Sequence, residues 1–402
     1  MTEARPDPLA RAHDCAQRFA ERAAAHDADA SFPAEDVQDL RDAGLLGLLV
    51  PTRLGGMGAG FEEYTAVATA LAAGSGSSAL VFNMHASVTG ALAGVPDDLA
   101  TQLGAPEWFF DVRDEMLRKA VAGALYGVAI TERGAGSRLS ALRTTFEATD
   151  GGYRLRGEKA VATGAGHVAA YLVAARSADA DPDDDPRVSY FLVPHGDGVT
   201  VNATWDPLGM RATASNGLSL DVVVPVTALV GGIEGLTVLL AYAMPQWLVA
   251  SYAAVYVGVA AATLAEAVRY VTRRTVTGRK GALAQVGFIR GRLGRADAAV
   301  EAARLALREA GRRVDAAAGD TETNRAIYRA KLLAGDAAMD VAASCTEACG
   351  LGALVRGSVL ERLFRDARSG AIMPPSSDVC ADVLGTAALG LDPMTGSEIR
   401  PW

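Results

Sequence analysis

The sequence predicts an α+β fold: a helical N-terminal part over residues 1–124, a central β-domain of sandwich or barrel type over 125–232, and a helical C-terminal part over 233–402. Three observations carry this reading. β-Branched and alternating runs separated by turn residues are concentrated between about 125 and 232. Alanine-rich stretches with helical spacing flank them on both sides. The order is helices, then strands, then helices, without βαβ alternation, which excludes a doubly wound nucleotide fold. With 402 residues, half of them hydrophobic and only 21% charged, the chain can bury more than one core.

Each part follows from local sequence. Residues 10–25 are rich in alanine and arginine, and Val37, Leu40 and Ala43 lie one helical turn apart. Pro33, followed by Glu35 and Asp36, suits the start of that second helix, where the dipole favours acids. Leu49-Val-Pro-Thr-Arg-Leu-Gly-Gly-Met-Gly58 reads as a loop before a helix from about 61 to 73. Strands are expected at 144–148, 153–156, 169–174, 189–193, 199–203 and 218–224, separated by Asp150-Gly-Gly and Pro194-His-Gly-Asp-Gly. The acidic run 179–186 lacks the glycine and terminal glutamate of a calcium loop and reads as a solvated surface loop. Residues 301–317 and 324–348 are amphipathic helices. Residues 236–265 carry no charge and are long enough to span a bilayer. Pro245, Gln246 and the lack of adjacent basic residues favour a buried helix instead, so no membrane span is expected.

The net charge of −9 and the absence of a basic, aromatic-interleaved stripe disfavour nucleic acid as a partner. Cys15, Cys345, Cys349 and Cys380 have no disulfide-framework spacing and read as core residues. The first residues lack an apolar signal segment, and a cytoplasmic location is expected. The five histidines are scattered and form no metal-binding pair, so no metal is expected.

Chemistry concentrates in a few motifs. Val128-Ala-Ile-Thr-Glu-Arg-Gly-Ala-Gly-Ser-Arg138 sets two hydroxyls and a glycine turn after an apolar run, a backbone arrangement that suits a flat or electron-rich ligand. Gly152-Tyr-Arg-Leu-Arg-Gly-Glu-Lys-Ala-Val-Ala-Thr-Gly-Ala165 ends in a second Thr-Gly, and Pro207-Leu-Gly-Met-Arg-Ala-Thr213 follows. In order and spacing these resemble the middle domain of the acyl-CoA dehydrogenase family of flavoproteins. The resemblance implies a C-terminal four-helix bundle that assembles a homotetramer or dimer, and FAD as cofactor. Ile130, Thr131, Gly136, Ser137, Val161 and Thr163 would then lie at the flavin ring, with Ser137 also touching substrate, and Ser376 would be a further cofactor contact. Arg133 replaces the family's proline, and Val161-Ala-Thr replaces its Trp-Ile-Thr. The ADP half, usually gripped by a neighbouring subunit, would meet Arg274 and Gln285, although Thr277 stands where the family has phenylalanine. An arginine fork suits pyrophosphate. Glu347-Ala-Cys-Gly-Leu-Gly352 and Leu360-Glu-Arg-Leu-Phe-Arg-Asp-Ala-Arg368 resemble two later signatures. Glu347, Gly350 and Gly352 fall at the pyrophosphate, Glu347 in place of a glutamine, while Glu361 and Arg365 form a structural ion pair.

The family's reaction, desaturation of an acyl thioester on CoA or an acyl carrier protein, needs a carboxylate to take the α-proton. Its usual glutamate position falls on Pro374, with Pro375 after it, and the less common position falls near Leu248. Asp378 is the nearest carboxylate and the candidate base, with Asp382 one turn on; a helix N-cap and an exposed helix face are the competing roles. Three readings follow: an acyl-CoA dehydrogenase-like oxidoreductase with a displaced base, a flavin-dependent monooxygenase on the same fold, or a non-catalytic subunit paired with an active relative.

Overall fold

The computed structural model describes residues 7–180, 187–275, 278 and 281–391. The N-terminal residues 1–6, most of the acidic run (181–186) and Thr277 lie outside the described residues.

Among the described residues six α-helices precede the sheet. Helix α1 (Pro8–Asp29) starts at Asp7, whose carboxylate accepts from the N–H groups of Leu9 and Ala10 at 3.0 and 3.2 Å. It buries Ala12, Cys15 and Phe19 at helical spacing. Helix α2 (Ala34–Asp42) follows, and the expected loop then winds two short 3₁₀ turns, Leu45–Gly47 and Thr52–Leu54. Helices α3 (Phe61–Gly74), α4 (Gly76–Gly94), α5 (Asp97–Gln102) and α6 (Glu107–Val121) complete this part. Helix α4 is buried nearly all round, so its sequence shows no amphipathic period.

Strands β1 (Tyr126–Ala129), β2 (Thr145–Thr149), β3 (Gly152–Ala162), β4 (Ala170–Ser177), β5 (Val188–Pro194), β6 (Val199–Asn202) and β7 (Asn216–Pro225) form one sheet, ordered β1-β4-β2-β3-β7-β6, with β5 also on β4. One edge of β4 carries β1 and then β2, both parallel to it, while β5 runs antiparallel along its other edge. Strand β3 runs well beyond the expected 153–156. Its continuation contains Lys159, which breaks the apolar alternation yet points inward and is buried.

The C-terminal part contains α7 (Leu236–Ala243), α8 (Ala250–Arg273), α9 (Gly287–Ala317), α10 (Thr321–Cys349), α11 (Val359–Ala367), α12 (Ser369–Ile372) and α13 (Ser377–Ala388). Helices α8, α9, α10 and α13 make the four-helix bundle, with α10 touching each of the others. The uncharged run is interrupted by a 3₁₀ turn at Pro245–Trp247. Beyond it, α8 buries every residue from Ala250 to Ala260, as a bundle core helix does. All four cysteines are buried. Burial raises the thiol of Cys345 to about 12 and those of Cys349 and Cys380 to about 11, so they are protonated core groups.

Candidate active site

The glycine turn leaves β1 at Ile130 and is closed by two 2.9 Å backbone hydrogen bonds exchanged between Glu132 and Gly136. Gly134 and Gly136 have φ of 83° and 62°, the left-handed region that a side chain resists. A Cβ on Gly136 would meet nothing within 4 Å, so the turn faces open space. Ile130, Thr131 and Ser137 are half-buried beside it. The turn joins the second expected ring-side strand directly, because Ala160 N–H donates to the Thr131 carbonyl at 2.8 Å. Val161 is half-buried and Thr163 buried.

What braces this turn is not legible in its motif. The Glu132 carboxylate accepts from Arg143 N–H at 2.7 Å, Thr144 N–H at 3.1 Å and Lys159 Nζ at 2.6 Å. Lys159 Nζ also donates to the Ala174 carbonyl at 2.6 Å. Burial pulls Lys159 down to about 8 against the opposing pull of Glu132. Burial alone would raise the Glu132 carboxyl, but the Lys159 charge and the N–H donors outweigh it and hold it below its ordinary value. The only sequence signal was a lysine on a strand position that faces the core.

Thr163 opens a chain of buried hydroxyls. Its Oγ1 lies 2.9 Å from Ser215 Oγ, which lies 2.8 Å from Thr213 Oγ1, and Thr213 donates to the Met210 carbonyl at 3.0 Å. Met210 N–H donates to Asp366 at 2.6 Å, so the chain ends on the Arg-Asp-Ala segment. Burial raises Asp366 to about 6. In the same segment Arg365 pairs with Glu361 at 2.6 Å, as expected, and also with Asp27.

The residues expected at the ADP half form a second cluster. Arg274 ends α8 exposed, and Leu283 N–H donates to its carbonyl at 2.9 Å, folding the segment back toward Gln285. Tyr270 and Arg274 line an open cleft of about 270 Å³ with Arg269, Arg273 and Glu266. The Tyr270 hydroxyl lies 2.5 Å from where a Cβ of Gly352 would stand, which brings the Gly350–Gly352 loop against the same cleft. Gly350 ends α10 with φ of 75°. Glu347 pairs with Arg292 of α9, which offsets the negative charge it adds there. Among the described residues no hydrogen bond or ion pair links this cluster to the Thr131 turn.

The base positions carry no base. Pro374 is exposed and joined to Pro375 by a cis peptide bond. Ser376 caps α13 by accepting from Val379 N–H at 3.3 Å. Asp378 is exposed in the first turn of α13, where an acid meets the helix dipole, and Asp382 is exposed one turn later.

Leu248 instead lines an apolar cavity of about 100 Å³. Ser87 and Val88 of α4, Met116 of α6, Leu172 of β4, Tyr190 of β5 and Trp247 complete much of its wall, and among the described residues no charged side chain lines it. Gln246 and Thr237 belong to this wall, and their Oε1 and Oγ1 are buried without a hydrogen-bond partner among the described residues. Helix α4 connects the cavity to β1: His85 Nδ1 accepts from Tyr126 N–H at 3.2 Å, and the opposite Nε2 lies 2.8 Å from the Leu46 carbonyl. Burial lowers His85 to about 4, and both contacts require the neutral ring with its proton on Nε2.

Comparison with known proteins agrees with this architecture. Models of the N-terminal, middle and C-terminal domains of acyl-CoA dehydrogenase match residues 9–95, 127–223 and 249–389. The L-evernosamine nitrososynthase of a Micromonospora species is 31% identical over 93% of this chain and 88% of its own length. The 3-sulfinopropanoyl-CoA desulfinase of Variovorax paradoxus is 28% identical over 97% and 96%. The butyryl-CoA dehydrogenase of Megasphaera elsdenii has a similar structure, with a TM-score of 0.83, 25% identity and coverage of 97% of this chain and 99% of its own. By its three matched domains, its fold and its relatives, the chain belongs to the acyl-CoA dehydrogenase family.

Proposed function

We propose that this chain is a flavin-dependent monooxygenase, oxidising a small uncharged group by oxygen chemistry and not by α,β-desaturation. The observation that carries the reading is the missing base: Leu248, near one base position, lines the cavity, Pro374 stands exposed at the other and is not part of its wall, and no carboxylate lines the cavity among the described residues. Taking an α-proton requires such a base, whereas oxygen transfer does not. A nitrososynthase among the relatives above 30% identity supports an oxidation of this kind.

The residues present fit a flavin. Ile130, Thr131, Gly136, Ser137, Val161 and Thr163 would hold the ring, with Ser376 a further cofactor contact, and the open face at Gly136 leaves room for the ring. Arg274, Gln285, Gly350 and Gly352 would hold a pyrophosphate, which favours FAD over FMN, from the neighbouring subunit of a homodimer or homotetramer. When bound, the flavin supplies two-electron redox chemistry and activation of oxygen. The chain's own part is to brace the turn through Glu132 and Lys159, to exclude water with an apolar wall, and to orient the substrate. Gln246 Oε1 and Thr237 Oγ1 lack partners among the described residues, so a substrate group bearing an N–H or O–H would satisfy them. Gln246→Leu should raise KM about tenfold, with kcat little changed.

A second reading is favoured by the retained Arg274 cluster and by the desulfinase relative, whose name specifies a CoA thioester. It is oxidation of an acyl thioester, on CoA or an acyl carrier protein, with Asp378 moving to act as base. The two readings separate by isotope labelling. Reduced, flavin-loaded protein is mixed with ¹⁸O₂ and a panel of small amines and hydroxylated aromatics, and products are weighed by mass spectrometry. Incorporation of ¹⁸O supports the monooxygenase; oxidation of acyl thioesters without label, abolished by Asp378→Asn, supports the second reading.

A further inference from the structure

The hydroxyl chain behind Thr163 has a direction. A carbonyl can only accept, so the Thr213 hydroxyl, 3.0 Å from the Met210 carbonyl, directs its single proton there. Thr213 Oγ1 can then only accept from Ser215 Oγ, 2.8 Å away, which takes up the Ser215 proton. Thr163 Oγ1, 2.9 Å from Ser215 Oγ, must in turn donate to it. Any other assignment sets two oxygens of the chain against each other with no proton between them. Thr163, Thr213 and Ser215 are all buried, where such a contact goes unrelieved by water. Thr163 Oγ1 therefore has only lone pairs left for a further neighbour. It meets a ligand as an acceptor.

The fold secures this polarity. Gly164 N–H donates to the Thr213 carbonyl at 2.9 Å and Ala165 N–H to the Ala214 carbonyl at 3.0 Å, which ties residues 163–165 to residues 213–215. Thr213 ends a 3₁₀ turn, Arg211–Thr213, set between Met210 and Ala214. Those two have φ of 54° and 44°, a left-handed conformation unfavourable for residues with a side chain, so the chain is strained where it presents the hydroxyls.

An oxidised isoalloxazine ring offers acceptors along its edge, at two ring nitrogens and two carbonyl oxygens, and a single donor, N3–H. Two-electron reduction protonates N5 and turns that acceptor into a donor. N3–H is present in both states and would give an accepting hydroxyl no preference between them. We infer that Thr163, held as an acceptor by Ser215 and Thr213, faces the edge that reduction protonates, so that this site binds reduced flavin more tightly than oxidised flavin. The inference rests on the reading that Thr163 lies at the flavin ring. Ser215 and Thr213 are then positioning residues that act through the Thr163 hydroxyl, and a bias toward the reduced ring suits a site where oxygen must react with it.

The test is the midpoint potential of bound FAD, measured anaerobically against a reference dye, together with the affinities for oxidised and dithionite-reduced FAD. The reduced form should bind about tenfold more tightly, which sets bound FAD about 30 mV above free FAD. Thr163→Val should remove this preference. Ser215→Ala releases the Thr163 proton to point at the ring and should lower the potential at least as far. Adding Ser215→Ala to Thr163→Val should lower it no further. A merely structural role would weaken both redox states alike and leave the potential where it was. A bound potential at or below that of free FAD, or one unmoved by Ser215→Ala, overturns the inference while flavin binding stands. Binding of FAD in neither state overturns the flavin reading and this inference with it. The two single variants are independent arms, so either decides if the other fails to fold.

Discussion

His85 is neutral because of where its two nitrogens point. Nδ1 accepts from Tyr126 N–H and Nε2 faces the Leu46 carbonyl, so a second ring proton would set two N–H groups against each other in a dry site. Its value in the fold, about 4, lies below the ordinary 6.5. The unfolded chain therefore takes up the proton first as the pH falls. The stability that His85 contributes is complete above pH 6.5 and is lost between 6.5 and 4, on the order of 3 kcal/mol. Chemical denaturation at stepped pH should show this loss, and His85→Gln should flatten it. Glu132 and Lys159 make the second prediction at this scale. Lys159→Met leaves the buried Glu132 charge unpaired and should cost about 3–5 kcal/mol, whereas Glu132→Gln with Lys159→Met should recover most of it. Thermal melts of the three variants check both arms. Neither role was legible in the sequence. His85 sits in an apolar helix like any core residue, and Lys159 looks like a charge that should end a strand.

Helix α4 is where two parts of the molecule are held at a fixed distance. A Cβ on Gly90 would stand 2.3–2.5 Å from the indole carbons of Trp247, so the helix approaches the 3₁₀ turn Pro245–Trp247 as closely as a glycine permits. Gly90→Ala should therefore displace Trp247 from the cavity wall and cost about 1–3 kcal/mol in urea denaturation, with a shift in tryptophan emission. Elements were readable in proportion to their exposure on one side. Helices α1 and α2 are legible because apolar positions recur at helical spacing against polar ones, whereas α3 is marked only by the breaker-rich loop before it. Helix α4 is not, because burial all round erases that contrast, and β3 was cut short because its inward Lys159 breaks alternation. The uncharged 236–265 run reads as a buried helix, but only α8 is one: α7 buries Leu236 alone, and the break at Met244–Val249 shows in the sequence only as Pro245.

Across the whole molecule, the sequence motifs proved to be two separate clusters. The Thr131 turn and Thr163 are joined by the Ala160–Thr131 hydrogen bond, and Arg274 meets the Gly352 loop through Tyr270. Motif order made the residue types visible, but not the Glu132–Lys159 brace, the Arg292 partner of Glu347, or the cavity. Those arise from chain segments brought together only by the fold. If a neighbouring chain supplies the Arg274 cluster, Arg274→Gln should weaken FAD retention about tenfold while leaving the monomer fold intact, as measured by cofactor content after gel filtration and by circular dichroism. The feature that decides the chemistry is the cavity, whose wall carries no α-proton base among the described residues. Its most direct test is anaerobic assay of the flavin-loaded protein with a panel of acyl-CoA thioesters and an artificial electron acceptor. The expected result is no acceptor reduction above that of flavin-free protein. Sustained turnover that disappears in Asp378→Asn would contradict it.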